Sequence, residues 1–214
     1  MNSIHKQQIT DSNTTIKNLI FDFGDIFINL DKSAIFRELK KLGLTSFTPK
    51  LEQIAISYEK GLISSDLFIQ KIKEIIPNTT TEQLIYSWNA IILDFPENRL
   101  EFLEKLSQES NYRIFLLSNT NALHIEQVIL NMSLERFNRF KNCFEQFYLS
   151  HEIHLRKPDA DIYQFVLDNN SLNASETLFI DDMKENTDTA KTLGIKTWNL
   201  LVGMEDVVNL KSKL

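Results

Sequence analysis

The chain has 214 residues, of which 43% are hydrophobic, 10% aromatic and 24% charged, the balance of a soluble globular protein and not of a disordered or fibrous one. At about 150 residues per domain this length fits one compact domain carrying a sizeable insertion, with fifteen phenylalanines to fill its core. Lys and Arg number 23 against 29 Asp and Glu, and the resulting net charge of -6 argues against a nucleic-acid partner, whose backbone demands a basic surface.

Residues 1–15 are mostly polar and read as a flexible arm with no apolar run like that of a signal peptide. No stretch approaches the ~18 uninterrupted apolar residues of a membrane-spanning helix, so no membrane partner is expected. The single cysteine, Cys143, cannot close a bridge within the chain, which fits a reducing cytoplasm.

From Ile16 onward the elements can be taken in order. Lys17 to Phe21 is a short apolar run that ends in Asp22 and is followed by Gly24, the pattern of a buried strand delivering a carboxylate at its C-terminal end. Residues 32–96 then contain no strand-like run and read as helices near 33–42, 49–60, 64–76 and 80–93. Pro49 and Ser64-Ser65 stand where helix starts are favoured, and Leu39-Leu42 and Ile72-Ile75-Ile76 keep the spacing of a core-facing stripe. After a helix over 97–109 comes a strand, Arg113 to Leu117, ending in Ser118-Asn119. A helix over 121–133 leads to a strand from Phe144 to Leu149, and a helix over 159–169 to a strand from Thr177 to Ile180 that ends in Asp181-Asp182. The helix over 185–193 is closed by Gly194 as a C-terminal cap, and Ile195 to Leu200 form the last strand.

Strands alternating with helices predict an α/β fold, a three-layer Rossmann-like core with a parallel sheet. In such sheets the ligand crevice lies outside the carboxyl ends of the strands, where the polar residues just named fall. The core would comprise 16–31 and 97–214, with 32–96 inserted after the first strand as a small helical domain over the crevice, placed to cover it and select what enters.

Four clusters stand in order along the chain: Phe21-Asp22-Phe23-Gly24-Asp25, Leu117-Ser118-Asn119-Thr120, Arg156-Lys157-Pro158-Asp159, and Phe179-Ile180-Asp181-Asp182 with Asn186 beyond. A strand-end carboxylate attacking phosphorus must approach an anion, so a divalent cation and a lysine are needed to offset the repulsion. Asp22 is the candidate nucleophile. Asp182, with Asp181 close by, would hold Mg²⁺, a hard cation that prefers oxygen ligands. Ser118 and Asn119 can donate to phosphate oxygens, the following helix adds oriented N–H groups, and Lys157 neutralises further charge. Asn186, four residues after Asp182 on the same helical face, would orient the metal's ligands from behind.

With these residues in view, the chain resembles the haloacid dehalogenase-like (HAD) superfamily, from about Leu19 to Trp198. Its four motifs match in order, and the helical insertion between the first two resembles the superfamily's C1-type cap. The wording Phe-Asp-Phe-Gly-Asp, Leu-Ser-Asn-Thr-Asn, Leu-Arg-Lys-Pro-Asp and Phe-Ile-Asp-Asp-x3-Asn is most similar to the sugar-phosphatase branch that includes bacterial α-glucose-1-phosphate phosphatases. The resemblance implies a Mg²⁺-dependent phosphatase of a small phosphorylated metabolite such as a sugar phosphate, with an aspartyl-phosphate intermediate hydrolysed by water.

The sequence departs from that pattern at one catalytic position. The superfamily places a second aspartate two residues after the nucleophile, as general acid and base, with its backbone carbonyl on the metal; here that position is Gly24. Glycine keeps the carbonyl but cannot protonate a leaving alkoxide, a loss worth ~10²–10⁴ in rate. Asp25 is a candidate replacement, with a solvated turn carboxylate as the alternative. A sugar 1-phosphate, whose departing oxygen is less basic, is another way out.

Other readings are open at this level. His151 and His154 could be a metal pair or plain loop residues, and His154 could touch the substrate. Asn29 and Asp31 could face the cap, Tyr58 to Gly61 could form a substrate-facing corner, and Trp88 and Phe95 are expected in cap packing. Two other functions compete. A 2-haloacid dehalogenase also lacks the second aspartate, but needs no metal, and Asp181-Asp182 would repel its anionic substrate. A phospho-ligand-binding protein with impaired turnover is the other.

Overall fold

The computed structural model describes residues 15–214; the arm expected over 1–15 lies, apart from Thr15, outside the described residues. Strands β1 (Asn18–Phe21), β2 (Arg113–Ser118), β3 (Gln146–Leu149), β4 (Thr177–Asp181) and β5 (Lys196–Asn199) form one five-stranded sheet in the order β3-β2-β1-β4-β5. Every pairing is parallel, so the chain crosses over after each strand and the sheet is covered on both faces.

Alternation along the strands builds the two halves of the core. Leu19 and Phe21, Ile114 and Leu116, and Leu178 and Ile180 point to one face; Ile20, Phe115, Leu117 and Phe179 point to the other. The first face meets α5 (Glu97–Gln108), α6 (Ala122–Met132) and α7 (Leu134–Lys141) through residues such as Leu103, Val128 and Phe140; beyond β3 and the single turn α8 (Ser150–Ile153), the second meets α9 (Ala160–Asn169) and α10 (Lys184–Thr192) through Ile162, Tyr163 and Ala190. Gly194, at φ +82°, ends α10 as expected: its N–H and that of Ile195 return to the carbonyls of Lys191 and Ala190. The helix α7 was not foreseen, because only Ser133 separates it from α6, and Ser133 caps it by accepting from Arg136 N.

Helices α1 (Ala34–Lys41), α2 (Pro49–Glu59), α3 (Ser65–Ile75) and α4 (Thr81–Asn89) share a separate cluster built on Leu51, Phe68, Ile72 and Trp88. Thr48, Ser64 and Thr80 cap three of them, the last in a full capping box with Gln83. The helix expected over 80–93 stops at Asn89, because the segment beyond pairs with the other linker: Asp31 N donates to Ile91 O, Asn29 N to Asp94 O and Leu93 N to Asn29 O. Asn29 and Asp31 therefore sit in this two-linker ladder, with their side chains on Asp94 and Arg99, and on Ser33 and Arg37. Phe95, expected in the cap, packs instead among Phe23, Phe27 and Phe140 in the core of the sheet's first face, because the chain has already returned to the core.

Leu123 and His124 of α6 project into the cap. Leu123 N donates to the Tyr58 hydroxyl, and the His124 ring stacks on Trp88 at 5.5 Å. Asn121 fixes the imidazole's protonation. Its Oδ1 accepts from His124 N, so its Nδ2 faces His124 Nδ1, leaving Nε2 to donate to Trp88 O. Burial pushes this histidine's pKa down to about 4. Between its unfolded value of ~6.5 and 4 the unfolded chain takes up a proton the folded one refuses, so the stability contributed by His124 is whole above 6.5 and is lost as pH drops. From pH 7 to 4.5 that contribution falls by about 2 kcal/mol, so the wild type should lose roughly 4–8 °C more in Tm than a variant lacking this imidazole. A His124→Gln variant should show a smaller acid decline; thermal melts falling in parallel for both would contradict this role.

Candidate active site

The ends of β1, β2 and β4 lie level, since Phe21 pairs with both Leu116 and Ile180. The next residues out are Asp22, whose N–H donates to Ile180 O at 2.9 Å, and Asp181. Lys157 arrives from the loop before α9, almost wholly enclosed, and its Nζ donates to Asp22 Oδ1 and to Asp181 Oδ2, both at 2.7 Å. Burial works against the charge on Lys157, but the Asp181 and Asp22 carboxylates outweigh it and hold the ammonium above its usual range. Asp22 itself is raised to about 7: burial is the main cause, Asp181 and Asp182 add to it, and Lys157 opposes.

Asn186 Nδ2 lies 3.0 Å from both oxygens of Asp181, whose Oδ1 also accepts from Met183 N. Asp181 is thus held in place by Lys157, Met183 and Asn186. Asp182 is raised by burial, opposed by its ion pair with Lys32. Lys32 also lies 3.1 Å from Asp25 Oδ2, and Asp25 Oδ1 accepts from Leu30 N. Asp25 is buried at φ 55°, not solvated, and these contacts turn both its oxygens to the linker; it lines neither of the cavities described next.

A cleft of about 260 Å³ is lined by Asp22, Gly24, Asn119, Lys157, Asp182 and Asn186, so the structure brings most of the predicted residues together. A recess of about 110 Å³ beside it is lined by Ser118, Asn119 and Gly24 with apolar Ile28, Leu30 and Ile92. Asn119 has a task the sequence did not suggest. Its Nδ2 donates to Lys157 O and its Oδ1 accepts from Lys157 N, both at 2.8 Å, so the amide holds the lysine's backbone, and what it has left for a phosphate is its main-chain N–H.

A cation fits this donor set. Asp22, Asp181 and Asp182 each offer a carboxylate oxygen, all within 4.8 Å of one another. These carboxylates would suit a hard divalent cation such as Mg²⁺, which prefers oxygen ligands. The two histidines do not join it. His154 Nδ1 meets Lys60 O at 2.9 Å, and the group of potential ligands among the described residues contains neither His151 nor His154.

At the cleft's rim, Lys32, missed in the sequence, joins Glu59 of the predicted corner and Arg156 beside Lys157. Arg156 Nε and Nη2 reach Glu59 Oε2 at 3.1 and 3.0 Å. Burial raises the Glu59 carboxyl and Arg156 opposes this. The corner Tyr58 to Gly61 is fastened to the core, with Ser150 Oγ donating to Glu59 O at 2.7 Å and Gly61 so close to His151 O that a Cβ would stand 2.0 Å from it. Arg156 carried a signal in its place next to Lys157 and Glu59 in the predicted corner, while Lys32 carried none.

A parallel sheet in this strand order, with a carboxylate, a lysine and an acidic pair at its strand ends and a helical insertion over them, defines a haloacid dehalogenase-like hydrolase. The family model of that description matches residues 19–200, and the chain belongs to this family. D-ribitol-5-phosphate phosphatase of Bacteroides thetaiotaomicron is 26% identical over 189 residues, 86% of this chain and 91% of that protein. A HAD-family enzyme from the same bacterium has a TM-score of 0.83 at 34% identity, over 92% of this chain and 98% of its own. A wild-type structure of that enzyme in complex with magnesium and inorganic phosphate gives 0.78 at 34% identity, over 89% and 96%. Among the described residues no helix is long and apolar enough to cross a membrane.

Proposed function

We propose that the protein is a Mg²⁺-dependent phosphatase of a small phosphorylated metabolite, a sugar or sugar-alcohol phosphate, working through an aspartyl-phosphate on Asp22. The observation that carries this is the buried Lys157 ammonium set between the carboxylates that end β1 and β4, with Asp182 in ligand reach of Asp22. The magnesium- and phosphate-bound relative and the D-ribitol-5-phosphate phosphatase support the same reading. Free Cys143 supports a reducing cytoplasm as its compartment.

Asp22, Asp182 and the Gly24 carbonyl would hold the ion, with Asp181 and Asn186 fixing the surroundings. When bound, the ion polarises the phosphoryl group and offsets its charge against Asp22. Lys157 keeps Asp22 oriented and neutralises phosphate oxygens, while Ser118 and the Asn119 N–H donate to them. An Asp22 oxygen bonds to phosphorus as the ester P–O bond breaks, and water then cleaves the acyl phosphate to regenerate the carboxylate. Asp25, bound to Lys32 and Leu30, is held back from the cleft, so the departing oxygen gains most when it is weakly basic, as in a sugar 1-phosphate. Phosphate release from sugar and sugar-alcohol phosphates is expected with Mg²⁺, to vanish in EDTA and to return with excess Mg²⁺. Binding without release would favour the impaired-turnover reading, and haloacid turnover in EDTA the dehalogenase.

A further inference from the structure

The catalytic cleft does not end at its rim. Lys32, Glu59, Arg156 and Glu185 also line a second, larger groove of about 540 Å³, so the two spaces join at these residues. Beyond them the wall changes character. Phe36 on α1, Phe47 in the following loop and Ile56 on α2 face the groove, and Phe36 and Phe47 are 37% and 45% exposed. Isolated exposed apolar residues are ordinary, but these line a groove that continues a catalytic cleft, within the size range of small-molecule sites. A ligand lying along this path would meet cations and carboxylates first, then the Glu59–Arg156 donor and acceptor at the neck, then two aromatic rings.

From this order we infer that the substrate is a phosphate monoester with a hydroxylated chain next to the phosphate and an aromatic group beyond it, seated against Phe36 and Phe47. This rests on the phosphatase reading above and narrows its substrate class. A phosphate bearing only a short polyol fills the inner cleft and leaves the aromatic wall in water, whereas an added ring covers it. Burying even part of a ring this way is worth roughly tenfold in affinity.

Ribitol 5-phosphate and riboflavin 5′-phosphate test this as a matched pair, since they share the ribityl phosphate and differ by a flat aromatic ring. With Mg²⁺, the flavin compound is expected to show at least about tenfold higher kcat/KM, mainly through KM, together with saturable quenching of its fluorescence on binding. A Phe36→Ser, Phe47→Ser double variant is expected to lose that preference. Equal or poorer turnover of the flavin compound, or a preference that persists in the double variant, overturns the inference. If neither compound releases phosphate, the phosphatase reading fails by itself, and the fluorescence titration then decides the groove. Quenching weakened about tenfold in the double variant upholds it; no quenching, or quenching indifferent to the two phenylalanines, rejects it.

Discussion

Asp22→Asn is expected to abolish phosphate release, by on the order of 10⁴-fold or more, while the protein melts at or above the wild-type temperature. The two halves come from one geometry. The amide is the same shape as the carboxylate and keeps an oxygen for Lys157 Nζ, but it is a poor nucleophile and carries no charge for a cation. Ionised Asp22 is costly in the folded chain, being buried and close to Asp181 and Asp182, which is why its pKa lies near 7. A neutral side chain removes that cost, so melts in EDTA at pH 8 should show no loss of Tm. An inactive variant that also melts well below the wild type would mean that Asp22 is structural first. Retained activity would remove it as the nucleophile.

Lys157→Met should have the opposite signature, losing both activity and stability. The side chain is 1% exposed and bonded to two carboxylates, so an apolar replacement strands two buried anions around it. Breaking a buried pair by removing one partner costs about 3–5 kcal/mol, and the lost charge at the phosphate should cost on the order of 10³ in rate. Adding Asp181→Asn to this variant removes one of the stranded charges. Stability should then recover in part while activity does not, a non-additivity that melts and phosphate-release assays read side by side. Additive losses in the double variant would mean that Lys157 and Asp181 do not act as a pair.

Much of this site was legible because strand ends announce themselves. Asp22 and Asp181-Asp182 each close a short apolar run, and buried parallel strands have to end at the crevice. Their convergence on Lys157 needed only the topology. Lys32 was not legible, since it reaches the cleft from the linker through an approach that no local spacing encodes, whereas Glu59 falls in the corner the sequence pointed to. Asn119 shows a subtler limit. A Ser-Asn pair at a strand end suggests phosphate donors, but the loop bearing Lys157 passes close enough to claim the amide with two hydrogen bonds. The overrun of the predicted helix at 80–93 has a similar cause, because Ile91 and Leu93 pair with a segment sixty residues away in sequence.

Gly24 does more than omit a carboxylate. A Cβ built there would lie 2.6 Å from Leu30 Cδ1, so a branch of the first linker already fills the space a side chain would take. A proton donor grafted onto position 24 therefore requires the end of the Leu30 side chain to turn aside. The strand of linker that carries Leu30, tethered by its N–H to Asp25 and by its neighbours to the returning chain, sets how much room the graft receives.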